Sequence, residues 1–346
     1  MDKKDYHKQL KKIVRRIYIF CSSIILIIIL MLLFFFGYFK KENSLIEDNS
    51  FEIFTISNYI SALDDSKDNL EIKYGFELFK STPKYLGPQN GNIEIAYAGN
   101  NLSCNNCHLF AGTKPYSAPL VGVVGRFPQF RGRENKMGTI EDRINGCFER
   151  SMNGRMMPSE GKEMKAFVSY LKWLDRFAEE DGTFKGKGFV SIEIPNRAVD
   201  LEKGKHIFDN VCFACHGTDG KGVRLENSQV YQYPPLWGDD SFNNGAGMNR
   251  VITSAQFIKA NMPYGATYQV PILSDEEAYD VAGYINQQQR PQKSNPEIDF
   301  PDITKKPVST PYPPYADDFS IKQHQLGPFQ PIMEYYKLKY GMIKTK

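Results

Sequence analysis

The sequence predicts an all-α protein, with two small helical units in tandem behind one N-terminal transmembrane helix. Three observations carry this. The pentapeptide Cys-x-x-Cys-His occurs twice, as Cys104-Asn105-Asn106-Cys107-His108 and as Cys212-Phe213-Ala214-Cys215-His216. Each copy is approached by a G-x-x-[L/I]-F segment, Gly75 to Phe79 and Gly204 to Phe208, and each unit closes with apolar residues at helical period. A run of 23 uncharged residues, Ile17 to Phe39, precedes both units.

That run is rich in Ile, Leu and Phe and is long enough to cross a bilayer at about 1.5 Å per residue. Lys3, Lys4, Lys8, Lys11, Lys12, Arg15 and Arg16 come before it, against Asp2 and Asp5. The positive-inside rule keeps this end in the cytoplasm and sends the rest across. A cleaved signal peptide would have a shorter apolar core ending in small residues. Here the run ends Phe-Phe-Phe-Gly-Tyr-Phe-Lys-Lys, so an uncleaved single-pass anchor over 1–41 is expected, with Cys21 an inert residue inside it. The expected location is the cytoplasmic (inner) membrane, with the bulk of the chain in the periplasm.

The net charge of +3 hides a division, because residues 1–41 hold nine Lys/Arg and two Asp/Glu, leaving 34 against 38 for the rest. An exported part that is mildly acidic has no global basic face, so no nucleic acid is expected as a partner. Any anion site must come from local clustering.

Two thiols spaced as in the pentapeptide can add across the two vinyl groups of one haem, and the adjacent histidine then meets the iron. Zinc would need further ligands at finger-like spacing. Of six cysteines and five histidines, the two motifs already use four and two. The chain reads as a redox protein with two covalently bound haem c groups, and the two units as cytochrome c-like domains in which the macrocycle fills the interior.

The organisation expected is a polar tether at 42–66, a first haem domain at 67–180, a second at 195–290 and a C-terminal segment at 291–346. The first unit closes with a helix through Met164, Phe167, Val168, Leu171 and Leu174, the second with one through Ala278, Val281, Ala282 and Ile285. Ser274 and Glu277 form a capping box for the latter. Glu179 to Ile194 has glycine and charge without periodicity and reads as the linker. Beyond Arg290 prolines recur with interleaved tyrosines, too aromatic for disorder, and an extended strap over the domains is expected.

The proximal histidines fix one face of each iron. For the second haem, Met262 stands 46 residues after His216 on a Pro/Gly-stiffened loop, with Met248 as the alternative. For the first, Met137, Met152, Met156 and Met157 are available, and so is Cys147, the one cysteine of the exported part outside the motifs. Thr139 to Asp142 reads as a helix start with acids in its first turn. Continuing that helix puts Arg143, Cys147, Arg150 and Ser151 on one face. Two guanidinium groups favour the thiolate, the form that binds iron. Arg126, Arg131, Arg133 and Arg155 add positive charge, part of which is expected to pair with nearby acids or haem propionates.

At these residues the chain resembles the thiosulfate dehydrogenases (TsdA-type), di-haem c-type cytochromes distantly similar to the SoxA-type cytochromes of sulfur oxidation. The matching stretches are Leu102 to Leu109 with Ala111-Gly112-Thr113, then Phe127-Pro128 and Arg131-Gly132-Arg133. The most specific is Asp142 to Gly154, and Phe257 to Pro263 and Arg290-Pro291 also match. The resemblance spans about 70 to 346. It implies a first haem ligated by His108 and Cys147 and a second by His216 and Met262. It also implies interconversion of thiosulfate and tetrathionate, with a c-type cytochrome or membrane redox partner exchanging electrons. Many relatives lack an anchor, so the N-terminus is a departure. Within that reading Arg143 and Arg150 serve as substrate cations, Ser151 as a hydroxyl donor and Cys147 as the tuner of the iron. The competing expectation is a non-enzymatic anchored di-haem electron carrier to a terminal oxidase, with His/Met ligation at both irons and Cys147 merely packed. A di-haem peroxidase is a third reading that nothing beyond the haem count suggests.

Overall fold

The computed structural model describes residues 11–32 and 56–346. The expected anchor's first ten residues, its end near Phe39 and most of the 42–66 tether lie outside the described residues. Two compact units divide the chain at Glu52/Ile53. In the first, helix α1 (Lys11–Leu32) is apolar and long enough to cross a membrane.

The second unit is mostly helical. Its first half holds α2 (Lys67–Lys80), α3 (Thr82–Leu86), a turn α4 (Leu109–Gly112), α5 (Ile140–Arg150) and α6 (Lys162–Trp173). Its second half holds α7 (Leu201–Ile207), α8 (Phe213–His216), α9 (Val251–Asn261) and α10 (Asp275–Asn286). The C-terminal segment adds α11 (Ile321–Leu326) and α12 (Gln330–Tyr340). Two small antiparallel ribbons interrupt the helices, β1 (Gln129–Arg131) with β2 (Lys136–Gly138) and β3 (Val223–Arg224) with β4 (Tyr231–Tyr233).

Each half is built on a crossing of its entry and closing helices, α2 on α6 and α7 on α10. The glycine of the G-x-x-[L/I]-F segment sits at that crossing. A Cβ on Gly75 would lie 1.9 Å from the Ala166 carbonyl oxygen, and one on Gly204 would lie 2.2 Å from that of Asp280. The backbones therefore meet closely only because the side chain is missing. The phenylalanine four residues on, Phe79 or Phe208, is buried beneath the crossing. Met164, Phe167, Leu171 and Leu174 pack on α2, with Ile56 and Ile60, in one core. Ala278, Val281, Ala282 and Ile285 anchor the other. Ser274 caps α10 by accepting from the Glu277 amide while Glu277 accepts from the Ser274 amide at 2.8 Å.

The halves interlock. Tyr231, Phe242 and Ala246 of the second half belong to the first core. Asn100 donates to the Ser241 carbonyl at 3.0 Å, Asn243 to the Glu149 carbonyl at 2.9 Å, and Asp240 accepts from the Asn101 amide at 3.0 Å. Residues 179–194 do not hang free either. Tyr116 and Ala118 donate to the carbonyls of Gly186 and Gly188, and Phe189 bridges to Ser117.

The C-terminal segment departs from a strap extended throughout. It is irregular to Ser320 and then helical, with the Ser320 hydroxyl accepting from the Gln323 amide and Gly341 ending α12 in a left-handed conformation. Pro331 falls in the first turn of α12, where its missing N–H costs nothing. Phe329, Ile332 and Tyr336 are buried in the second core.

Candidate active site

In the first motif, Ser103 and Asn106 cap a short turn carrying Cys104, and the Cys104 amide donates to the Thr82 hydroxyl. The turn after His108 is left-handed at two non-glycine residues, Phe110 and Ala111, both with φ of 54°. Asn105 steadies it by accepting from the Ala111 amide at 2.8 Å, and the Tyr170 hydroxyl donates to the Ala111 carbonyl at 2.7 Å. Backbone held in this region costs about 1–3 kcal/mol per residue and persists where the surroundings over-determine it.

His108 Nδ1 lies 2.7 Å from the Ala118 carbonyl oxygen. A carbonyl only accepts, so Nδ1 carries the proton and Nε2 keeps its lone pair. His216 repeats this, with Nδ1 2.8 Å from the Pro234 carbonyl oxygen. Both motif histidines are thus oriented as ligands through Nε2. His324 is different, because Nδ1 meets the Val308 carbonyl and Nε2 meets Asp317, and its role is structural.

A cavity of about 240 Å³ opens beside the first motif, with Cys104, Cys107 and His108 on one wall and Phe79, Leu120 and Phe148 among its apolar sides. Arg126 lines it, and its buried Nε has no partner among the described residues. Two thiols, a bare imidazole nitrogen, apolar walls and a guanidinium with an unpartnered Nε fit a haem with its propionates. In the second motif, α7 runs through Phe208–Cys212 into α8, and the Phe208 ring meets that of Trp237 at a tilt, with centroids 4.9 Å apart. Cys212, Leu236, Trp237 and Met262 pack on the second core, and His216 is buried, which fits the second haem. The alternative methionine, Met248, packs instead on the first core. Among the first-site candidates, Met137 and Met156 are exposed while Met152 and Met157 are buried.

Helix α5 starts with the Thr139 hydroxyl accepting from the Asp142 amide, and one turn on Arg143 Nη1 donates to Cys147 Sγ at 3.0 Å. Burial pushes the Cys147 thiol up, but the Arg143 charge leads the opposing influences and brings it down to about 6. Burial holds Cys104 and Cys107 up at about 12. Because His108 Nδ1 is engaged by Ala118, the nitrogen facing Cys147 is Nε2.

Behind this pair lies a second cavity of about 290 Å³, reached by Cys147, His108, Arg143, Arg150 and Ser151 together. Arg131 and Arg133 also line it, while Arg155 does not, since it turns outward to the carbonyls of Ile93 and Glu94. Arg150 is not a free cation. Its Nη2 and Nε meet Asp299 at 2.6 and 3.1 Å, and Arg133 Nη1 meets the same carboxylate at 2.7 Å. Sequence reasoning missed three residues here, Asp299 and Lys346 from the C-terminal segment and Arg250 from the second half. No local spacing links them to Cys147.

The family profile described as "SoxA/TsdA, cytochrome c domain" matches residues 96–176, and "Cytochrome c" matches 201–289. The thiosulfate dehydrogenase of Thiomonas intermedia is 39% identical over 232 residues, covering 67% of this chain and 70% of that protein. That of Allochromatium vinosum is 42% identical over 207 residues, covering 59% and 75%. Among solved structures, thiosulfate dehydrogenase (TsdBA) from Marichromatium purpuratum aligns with a TM-score of 0.60 at 33% identity over 68% of this chain. The chain spans about half of that structure's length, 49%. Matched this way over most of its length, the chain belongs to the thiosulfate dehydrogenase family of di-haem cytochromes c, with two cytochrome c domains that bind haem c covalently.

Proposed function

We propose that this chain is an oxidoreductase interconverting thiosulfate and tetrathionate. Two thiosulfate dianions join through one new S–S bond into a tetrathionate dianion and release two electrons, and the reverse reaction cleaves that bond. The first haem would be held by Cys104 and Cys107 and ligated by His108 and Cys147, the second held by Cys212 and Cys215 and ligated by His216 and Met262. When bound, the haems accept one electron each and pass them to a c-type cytochrome or a membrane-bound redox partner.

The observation that carries the ligation is that Cys147 faces the free nitrogen of His108 where the two cavities meet, with Arg143 on its sulfur. Joining two dianions needs positive charge fixed at the reaction centre before they arrive. Arg143 reaches both the sulfur and the cavity. Arg150, clamped by Asp299, presents its guanidinium in one orientation, and Ser151 offers a hydroxyl from the next turn. The helix α1 would anchor the chain in the cytoplasmic membrane with the haem-bearing part in the periplasm, a reading supported by the cations ahead of it.

The test is steady-state oxidation of thiosulfate with an artificial electron acceptor and reduction of tetrathionate with a donor, in wild type and Cys147→Gly. The wild type is expected to turn over, and the variant to retain both haems while losing turnover by at least 100-fold. Full activity in the variant removes Cys147 from the mechanism and returns the protein to a role as electron carrier.

A further inference from the structure

The cavity behind Cys147 holds more positive charge than its own carboxylates answer. Asp299 is shared by Arg150 and Arg133, lies 3.8 Å from Lys293 and accepts from the Tyr312 hydroxyl at 3.2 Å. Arg131 is taken by Glu134 at 2.9 Å. Two further cations line the same space from other parts of the chain, Arg250 at the start of α9 and Lys346. Arg250 meets the Phe300 ring at 5.8 Å, and Lys346 Nζ sits 5.3 Å from the Phe189 ring. Neither forms an ion pair among the described residues. Burial holds both below their ordinary range, helped by repulsion from Arg133 on Arg250 and from Arg250 on Lys346, and brings Arg250 down to about 9. Next to them Thr253 is 6% exposed, lines the cavity and has a buried hydroxyl without a partner among the described residues. Two unpaired cations and an orphaned hydroxyl converging on one space are unfavourable by themselves. They become favourable when an oxyanion fills the space.

We propose that Arg250, Lys346 and Thr253 form the subsite for the second thiosulfate, binding its sulfonate oxygens opposite the subsite at Arg143 and Cys147. This rests on the thiosulfate–tetrathionate reading and assigns a place to the reaction's second substrate. The terminal sulfur of the thiosulfate held there is then directed at the terminal sulfur of the one beside Cys147. The S–S bond forms between those two atoms, no proton moves, and four negative charges become a dianion plus two electrons taken by the acceptor. The subsite joins the two halves, since Arg250 and Thr253 come from the second haem half and Cys147 from the first.

The experiment uses the full haem-loaded chain, thiosulfate and an artificial acceptor in excess. In Arg250→Met the KM for thiosulfate is expected to rise at least tenfold while kcat at saturation stays within about threefold, and Arg250→Lys is expected to restore most of the affinity. Lys346→Met and Thr253→Val are expected to raise KM by threefold or more each. Lys346 is half-buried and belongs to neither hydrophobic core, so its replacement tests the subsite even where Arg250→Met fails to fold. An unchanged KM in haem-loaded Lys346→Met and Arg250→Lys, with Arg250→Met either unchanged or unfolded, overturns the subsite while active wild type leaves the parent reading standing. Wild type inactive with both thiosulfate and tetrathionate overturns both.

Discussion

Arg143 and Cys147 lie one turn apart on α5, and the guanidinium donates to the sulfur across 3.0 Å. The contact is set by helix geometry alone, because residues four apart share a face. A charged donor held on a thiolate stabilises it and draws electron density from it. Replacing Arg143 by Met should lower kcat/KM for thiosulfate by roughly 10²-fold, the scale of losing one preorganised donor. Arg143→Lys should recover part of the loss. The electron paramagnetic resonance spectrum of the oxidised protein should shift in Arg143→Met at the first haem only, and an unshifted spectrum with full activity would remove Arg143 from the sulfur's control.

Asp299 is the buried counter-charge of the cavity. Burial pushes its carboxyl up, but hydrogen bonds from Arg150 and the charge of Arg133 prevail and lower it from 3.8 to about 2. A group whose folded pKa is depressed stabilises the fold fully above its unfolded pKa and stops doing so as pH falls through the folded value. About 2 kcal/mol should therefore be present above about pH 4 and fade toward pH 2. Asp299→Asn should cost about 3–5 kcal/mol at neutral pH by leaving Arg133 and Arg150 without their carboxylate. Its melting temperature should fall less steeply than that of wild type between pH 4 and pH 2. Parallel slopes would mean that Asp299 does not titrate in this window.

The features written in the sequence are those that local chemistry specifies. The two haem motifs, the Thr139 and Ser274 helix starts, and the Arg143–Cys147 face of α5 are legible because spacing along one turn or helix encodes them. Arg250 and Lys346 reach the same cavity, and Asp299 the arginines that line it, from over a hundred residues away, and nothing in their neighbours announces it. Arg155 shows the converse. It is close to Cys147 in sequence, but it stands past the end of α5 and is spent on the carbonyls of Ile93 and Glu94. The C-terminal segment is hard to read for a similar reason. Its prolines point to extended chain, whereas Pro331 sits where a helix tolerates it and Phe329, Ile332 and Tyr336 gain burial by closing the second core.

Gly75 and Gly204 should tolerate no side chain. A Cβ at either would overlap a carbonyl oxygen of the crossing helix, at 1.9 and 2.2 Å, and the helices would have to separate. Gly75→Ala and Gly204→Ala should each destabilise by about 1–3 kcal/mol or more and lower haem loading of the half that carries them. Gly125→Ala is the control, since nothing lies within 4 Å of its Cβ position. Thermal unfolding followed at the haem absorbance reads both effects, and equal melting temperatures in all three variants would show that the crossings absorb the extra carbon.

The N-terminal helix should serve position rather than chemistry. Residues Lys11–Leu32 form an apolar helix with no buried face among the described residues, and cations cluster at its N-terminal end. At about 1.5 Å per residue its 22 residues span about 33 Å, enough for the hydrocarbon core of a bilayer. The two haem motifs, both hydrophobic cores and every residue lining the two cavities lie beyond Glu52. A shortened chain beginning at Ser50 behind a cleavable signal peptide should therefore be released from the membrane fraction, carry both haems and oxidise thiosulfate at the full-length rate with a small artificial acceptor. With a membrane-bound acceptor it should be slower, because the anchor no longer holds donor and acceptor on one surface. Loss of haem or of dye-linked turnover in the shortened chain would mean that α1 contributes to folding or to the site itself, and anchoring alone would no longer describe it.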